Sequence, residues 1–199
     1  MLPADVEAVI GLQPLAFPPP FSSDLHWDSE HILAHLHVFP HGQWVAESQG
    51  AIIASCSNTR VSEEKWQMHG SWYTTVGGPN LEGFAVDGST LNGLDIAVHP
   101  EFRRKGIARS LYLARFALVA KLGLIRYGTA CRMPGLRSWL SHNPLQSAEQ
   151  YLSSVSGGAV VDQTLTPLLR LGLTPLTVIK NYMMDEESLN NAALLEWIP

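Results

Sequence analysis

Apolar positions along the chain fall into stretches of clear period separated by stretches of none. Pro14 and then Pro18, Pro19 and Pro20 hold the first stretch extended and deny it donors, so a loop is expected there. Ser29 can cap a helix through Ile32, Leu33, Leu36 and Phe39, whose spacing gathers the apolar groups on one face, and Pro40 closes it. Trp44 to Glu47, a Ser48-Gln49-Gly50 turn and Ala51 to Ser57 have the pattern of a β-hairpin. Residues 62–92 mix charges with Trp66, Trp72, Gly77-Gly78-Pro79 and Gly88, which predicts a long loop able to fold over a binding site.

A strand follows at Leu94 to Val98 and stops at His99-Pro100, because proline lacks a ladder donor and restrains its predecessor. From Ile107, the residues Leu111, Ala114, Leu118 and Leu122 recur at helical spacing, with Gly123 as the stop. Leu124 to Cys131 reads as a strand ended by Met133-Pro134-Gly135. Leu145 to Val155 is expected as a helix, Asp162 opens a short helical segment through Leu169 that Gly172 ends, and Thr177 to Ile179 and Ala192 to Trp197 read as strands. The alternation of helices and strands predicts a mixed α/β chain, and 199 residues without an internal repeat predict a single domain over 1–199.

Composition narrows the function classes. A net charge of −5 argues against a general nucleic-acid or membrane-surface role, since phosphate backbones demand a broad basic face. No stretch approaches the roughly 20 uncharged apolar residues of a membrane span. The amino terminus carries Asp5 and Glu7 where a secretory signal would be positive. Two cysteines, Cys56 and Cys131, give neither a disulfide framework nor a four-cysteine metal site. The cytoplasm is therefore the expected compartment.

The chemistry is concentrated in Val98-His99-Pro100-Glu101-Phe102-Arg103-Arg104-Lys105-Gly106-Ile107-Ala108-Arg109-Ser110, which joins a strand to a long helix. A turn at a helix amino end leaves several backbone N–H groups without intrahelical partners, converging where the helix dipole is positive, and such a place binds phosphate. Gly106 permits close approach, the small Ala108 leaves room, and Arg103, Arg104 and Lys105 add charge that can meet phosphate oxygens. The turn has neither the Gly-x-x-x-x-Gly-Lys-Ser/Thr of an NTPase loop nor the three glycines of a dinucleotide site.

Arg103-x-x-Gly106-x-Ala108 resembles the Arg/Gln-x-x-Gly-x-Gly/Ala signature of GNAT N-acetyltransferases, and Val98-x-Pro100 before it is similar too. Phe39-Pro40-x-Gly42-Gln43, Pro134-Gly135, Asn181-Tyr182 and Leu195-Glu196-Trp197 extend the likeness, toward the GNAT subgroup sometimes fused to nitrilase-like carbon–nitrogen hydrolases. The resemblance implies a mostly antiparallel central sheet of about six to seven strands flanked by helices. It also implies acetyl-CoA as co-substrate, with its pyrophosphate on the turn from Arg103 to Ser110, Ile107 and Arg109 included. Its arm would lie beside Ile96, Ala97 and Val98, with its thioester between splayed strands. No metal is implied. The expected acceptor is an amine of a small molecule or a protein, and a homodimer is a possible assembly.

Transfer to an amine needs a neutral amine, stabilisation of the developing oxyanion and a proton for the leaving thiolate. A backbone N–H near Val98 could serve the oxyanion. Asp95 and Glu82 are the candidate bases, and alternation sends the Asp95 side chain opposite to Leu94 and Ile96. Many GNAT enzymes place an acidic tyrosine four residues before the glycine of the late helix, where this chain has Leu168. Tyr182 is the favoured replacement, with Tyr151 and Cys131 as others. Leu168 also supports the rival reading of an acyl-CoA sensor or partner domain without turnover. His31 and His35 stand one helical turn apart, but without the further ligands a zinc site needs they are read as structural or pocket residues.

Overall fold

The computed structural model describes residues 1–199. Its centre is a six-stranded sheet: β1 (Trp44–Ser48), β2 (Ala51–Val61), β3 (Thr90–Val98), β4 (Arg126–Arg132), β5 (Thr174–Ile179) and β6 (Ala192–Trp197). The spatial order is β1-β2-β3-β4-β6-β5, antiparallel throughout except where β3 meets β4. The expected hairpin is present. Gln49 and Gly50, at φ 53° and 79°, form its two-residue turn, the left-handed pair that matches the twist of the flanking strands.

Eight α-helices surround the sheet: α1 (Val6–Ala16), α2 (Ser29–Val38), α3 (Glu63–Gln67), α4 (Trp72–Val76), α5 (Ile107–Leu122), α6 (Leu136–His142), α7 (Ala148–Ser156) and α8 (Leu165–Arg170). α5, α7 and α8 cover one face, where Tyr112, Phe116, Leu152 and Leu168 join Leu91, Tyr127 and Leu195 in the main core. α1 and α2 pack Val6, Val9 and Ile32 against Val45 and Ile52 on the opposite face, which Trp66 of α3 shares with Val61 and Leu194.

Several local expectations are corrected. The segment around Pro14 is the last turn of α1 and not a loop, because Val6, Val9 and Leu12 bury a stripe that outweighs one lost backbone bond near the helix end. Asp28, and not Ser29, caps α2 by accepting from the His31 amide at 2.9 Å. Leu33 of that helix is solvent-exposed while His35 is buried. Residues 62–92 hold two short helices, each opened by a serine: Ser62 accepts from the Lys65 amide and Ser71 from the Thr74 amide, both at 3.2 Å. β3 starts at Thr90 rather than Leu94, and α6 follows Gly135 where no helix was expected. In α5 the buried stripe runs through Tyr112, Arg115 and Val119, leaving Ala114 exposed.

Candidate functional site

The site is built where β3 and β4 part. Their parallel ladder has three steps, Thr90–Arg126, Leu91–Tyr127 and Asn92–Gly128, and then ends. Beyond Asn92, β3 continues to pair with β2 on one side, Ile96 against Cys56 and Val98 against Ala54, while its edge toward β4 has no ladder partner. A forked sheet with a free backbone edge can accept an extended chain as an added strand.

The fork is shaped by a bulge. Ser57 pairs with Asp95 and Asn58 with Gly93, so Leu94 is the extra residue on β3. Arg115 reaches the disrupted ladder from α5, its Nη2 donating to the carbonyl of Ser57 at 3.3 Å and to that of Asp95. The guanidinium lies over the rings of Tyr112 and Tyr127, 4.8 and 5.4 Å from their centroids, and is almost fully buried. At the apex the Thr129 hydroxyl donates to the Gly93 carbonyl at 3.4 Å, and a Cβ on Gly93 would stand 2.1 Å from the Tyr127 hydroxyl. Arg115 reads from the sequence as a polar break in an apolar helix, and only the bulge it fills explains it.

The turn after β3 delivers the free edge to the start of α5. Arg104 and Gly106 both adopt left-handed φ, 60° and 85°, and Gly106 is the N-cap of α5. The amides that follow point out of the helix end, and a Cβ added at Gly106 would meet nothing within 4 Å. Between Glu101 and Arg109 there are four cations and one carboxylate. Arg104, Lys105 and Arg109 are exposed and enter no ion pair, and the Lys105 ammonium sits 4.7 Å over the Phe102 ring. Arg103 is used differently. Its guanidinium donates to the carbonyls of Val98 at 3.2 Å and Ala16 at 2.9 Å, tying the end of α1 to the turn.

Of the candidate catalytic side chains, Asp95 and Tyr182 lie on the face opposite α5, whereas Cys131 and Tyr151 belong to the core on the α5 side. Asp95 accepts from the Trp27 indole N–H at 3.0 Å and from the Ser57 amide at 2.9 Å, so both its oxygens are engaged. Burial pushes its carboxyl up from the usual range, against the pull of Arg115 and of the Trp27 bond. Glu82 is exposed on the turn after α4. Tyr182 is buried with Val61, Trp66, Ile179 and Leu194, and burial raises its hydroxyl well above the ordinary value. Its backbone is pinned, the amide donating to Asn190 at 2.8 Å and the carbonyl accepting from Trp72 at 3.0 Å.

Tyr151 donates to Asp162 at 2.6 Å, and Asp162 in turn caps the start of α8 by accepting from the amides of Thr164 and Leu165. Burial pushes the Cys131 thiol up to about 11. Leu168 is in the main core. His35 donates its Nε2 proton to the Pro79 carbonyl at 2.7 Å and meets Trp27 edge-on at 4.9 Å, while burial lowers its pKa and keeps the ring neutral. No group of three or more His, Cys, Asp or Glu side chains converges, and no helix is long and apolar enough to cross a membrane.

Two signals were missed in the sequence. Trp27 lies 68 residues from the Asp95 it holds, a pairing that no spacing reveals. His69, at φ 46°, stands with Trp66, Thr75, Asn92, Ala130, Ile179, Tyr182 and Leu194 around a narrow slot that opens beside the fork.

Comparison with known proteins agrees with this architecture. The chain is similar to Uncharacterized N-acetyltransferase YkwB of Bacillus subtilis (strain 168), 34% identical over 97% of this chain and 84% of that protein. It is 30% identical to Probable hydrolase YhcX of the same organism over 97% of this chain, which spans only 36% of that longer protein. Among solved structures, the GphF GNAT-like decarboxylase in complex with isobutyryl-CoA shares the fold at a TM-score of 0.79 and 20% identity, covering 100% of this chain and 96% of that one. The loading GNATL domain of CurA from Lyngbya majuscula does so at 0.79 and 17%, covering 100% and 94%. Residues 6–140 match the Acetyltransferase (GNAT) family, and with the signature turn at the mouth of a forked sheet the chain belongs to that family.

Proposed function

We propose that this chain moves an acetyl or short acyl group from acyl-CoA to an amine, on a small molecule or on a protein. The observation that carries the reading is the joining of a free strand edge to a phosphate-binding helix start: Gly93 to Val98 lead directly into the outward amides of Arg104 to Ala108. The coenzyme's pantetheine amides pair with Ile96, Ala97 and Val98 as an added strand. The diphosphate meets the backbone N–H groups of the turn, with Arg104, Lys105 and Arg109 supplying charge. The isobutyryl-CoA held by GphF supports acyl-CoA as the ligand class.

In this reading the thioester lies in the fork, where the amine lone pair attacks its carbonyl carbon. The C–N bond forms, the C–S bond breaks, and the electron pair leaves on the coenzyme sulfur. In the same reading Tyr182 returns a proton to that sulfur. Asp95, with both oxygens occupied, holds Trp27 and the bulge in position and so acts on geometry rather than on the proton.

Acetyl-CoA at 100 times its Kd should stabilise the fold by about 2.7 kcal/mol. At roughly 2–4 °C per kcal/mol for a chain of this size, the melting temperature rises by about 5–11 °C. Gly106→Glu, which puts a carboxylate into the cup, should abolish the rise, and an unchanged melting curve for the wild type sinks the reading. An acyl-CoA-binding domain without turnover is the second reading, favoured by Leu168 standing in the core at the position where the family resemblance implies a tyrosine. It predicts the same thermal shift with no release of free thiol over a panel of amines.

A further inference from the structure

The slot beside the fork has features that the transfer reading does not by itself assign. It is bounded on the sheet by Asn92, the last residue of β3 paired with β4, by Ala130, two positions past the end of that ladder on β4, and by Leu194 of β6. Its outer walls are Trp66, Thr75 and Tyr182, with His69 at the rim. It lies on the face opposite α5, across the sheet from the helix that follows the phosphate-binding turn.

His69 is held by its backbone. The amide donates to the Trp66 carbonyl at 3.2 Å and the residue takes a left-handed φ between α3 and α4, a conformation that costs energy away from glycine. The ring meets the Trp66 indole edge-on at 6.4 Å, and the structure gives its nitrogens no hydrogen-bond partner. It is thus an exposed, unengaged base fixed at the mouth of a cavity.

The slot's lining contains no Asp, Glu, Lys or Arg. It therefore offers an ammonium no counter-ion and a carboxylate no cation, so it favours a neutral amine on a body without charge at that end. Its free space takes little more than a water-sized group. An –NH2 head fits such a slot with its CH2 group at the mouth, whereas on a branched carbon, as at a peptide amino terminus, the branch would crowd that narrow mouth. Beside His69 and Trp72 in the chain, Met68 and Tyr73 are exposed by 59% and 67%, a surface suited to an apolar stem.

Resting on the transfer reading above, we propose that His69 is the catalytic base and that the acceptor is an unbranched primary amine on an apolar stem. The amine enters the slot, attacks the thioester carbon lying in the fork, and gives its proton to a ring nitrogen of His69. The coenzyme sulfur leaves with the C–S electron pair and is protonated, so one amide and one free thiol form per turn and His69 releases its proton to solvent. The same stem belongs to a small alkylamine and to a lysine side chain.

The test is thiol release from acetyl-CoA with n-hexylamine, with Nα-acetyl-lysine amide and with alanine amide, in the wild type and in His69→Asn. Asparagine tolerates the left-handed backbone, so melting temperature and acetyl-CoA affinity should stay as in the wild type. The expected result is turnover with one or both unbranched amines and little with alanine amide. The substitution should lower kcat/KM on the order of 100-fold while leaving acetyl-CoA affinity unchanged. Added imidazole should restore part of the rate in His69→Ala. Turnover of n-hexylamine distinguishes a small-amine acceptor from lysine. Undiminished activity in His69→Asn, or alanine amide as good as the unbranched amines, overturns this inference while leaving acyl transfer standing. Wild-type protein that binds acetyl-CoA and turns over none of the amines overturns the transfer reading and this one with it.

Discussion

Gly128 of β4 carries the heaviest steric constraint near the slot, and Gly128→Ala is the sharpest test of its architecture. A Cβ there would stand 2.2 Å from Cζ3 and 2.3 Å from Cη2 of Trp66. Ordinary carbon contacts begin at about 3.5 Å, so the ring must retreat by about 1.3 Å or more. Retreat is resisted, because Trp66 is 3% exposed, packs on Val61, Ile179 and Leu194, and has the Arg126 guanidinium 5.5 Å from its ring. Arg126 is itself fixed to Glu63 at the other end of α3. Overpacking a closed site costs about 1–3 kcal/mol, and the absence of a yielding neighbour places this case near 3. For a chain of this length that lowers the melting temperature by about 6–12 °C.

The double-mutant cycle with Trp66→Leu makes the argument specific. Trp66→Leu alone should cost about 3 kcal/mol through the space it leaves. The double variant should be less destabilised than the sum of the two by about 1.5–3 kcal/mol, because leucine vacates the atoms that the new methyl meets. Thermal or urea unfolding of the four proteins gives the cycle. A melting temperature within 1 °C of wild type for Gly128→Ala, or costs that add within about 0.5 kcal/mol, refutes the placement of Trp66 over β4 and with it the outer wall of the slot.

Three further outcomes follow from the same geometry. Arg132→Ala should destabilise by about 3–5 kcal/mol, because it strands the buried Asp185 carboxylate that Arg132 meets through two bonds of 2.7 and 2.6 Å; equilibrium denaturation would show it. Burial alone would raise the Asp185 carboxyl, but the Arg132 and Ser188 bonds hold it below its ordinary 3.8. It contributes stability above that pH, lost as pH falls further, and Arg132→Ala should remove this contribution. His35 has a folded pKa below its unfolded 6.5, so its contribution is complete above pH 6.5 and declines as pH falls through the folded value. His35→Phe should flatten the slope of stability against pH just below about 6.5, and an unchanged slope there contradicts a neutral, buried ring.

The parts of this account legible in the sequence are those where local chemistry decides the outcome. Gln49-Gly50 dictates a tight turn, His99-Pro100 ends β3, and Gly123 at φ 62° ends α5 as its position predicts. Asp162 sits at the start of its helix because its carboxylate satisfies free amides, a short-range effect. Where tertiary contacts decide, the pattern misleads. Pro14 lies inside a helix because α1 has a core to bury against, and Ala114 is exposed because the bulge in β3 requires Arg115 inside. The bulge itself is invisible in the sequence, since Leu94 differs from its neighbours only in having no partner on β2.

The site divides along the same line. The turn from Arg103 to Ser110, proposed to bind the diphosphate, is a contiguous segment whose glycine and cations speak for it, and Arg103 alone is diverted there, to the carbonyls of Val98 and Ala16. Asp95 is a candidate base by its place on a central strand, but its surroundings are not legible in the sequence. Its partners Trp27 and Ser57 come from elsewhere in the chain and occupy both oxygens. His69 drew no attention because its neighbours in the slot are gathered from α3, α4 and four strands or their ends.

A crystal structure of this chain grown with coenzyme A bears most directly on the whole. The diphosphate should accept hydrogen bonds of about 2.7–3.2 Å from the backbone amides between Arg104 and Ala108, with the pantetheine arm paired to Ile96–Val98. Coenzyme density anywhere else, with that turn and the free edge of β3 unchanged by its presence, would contradict the assignment.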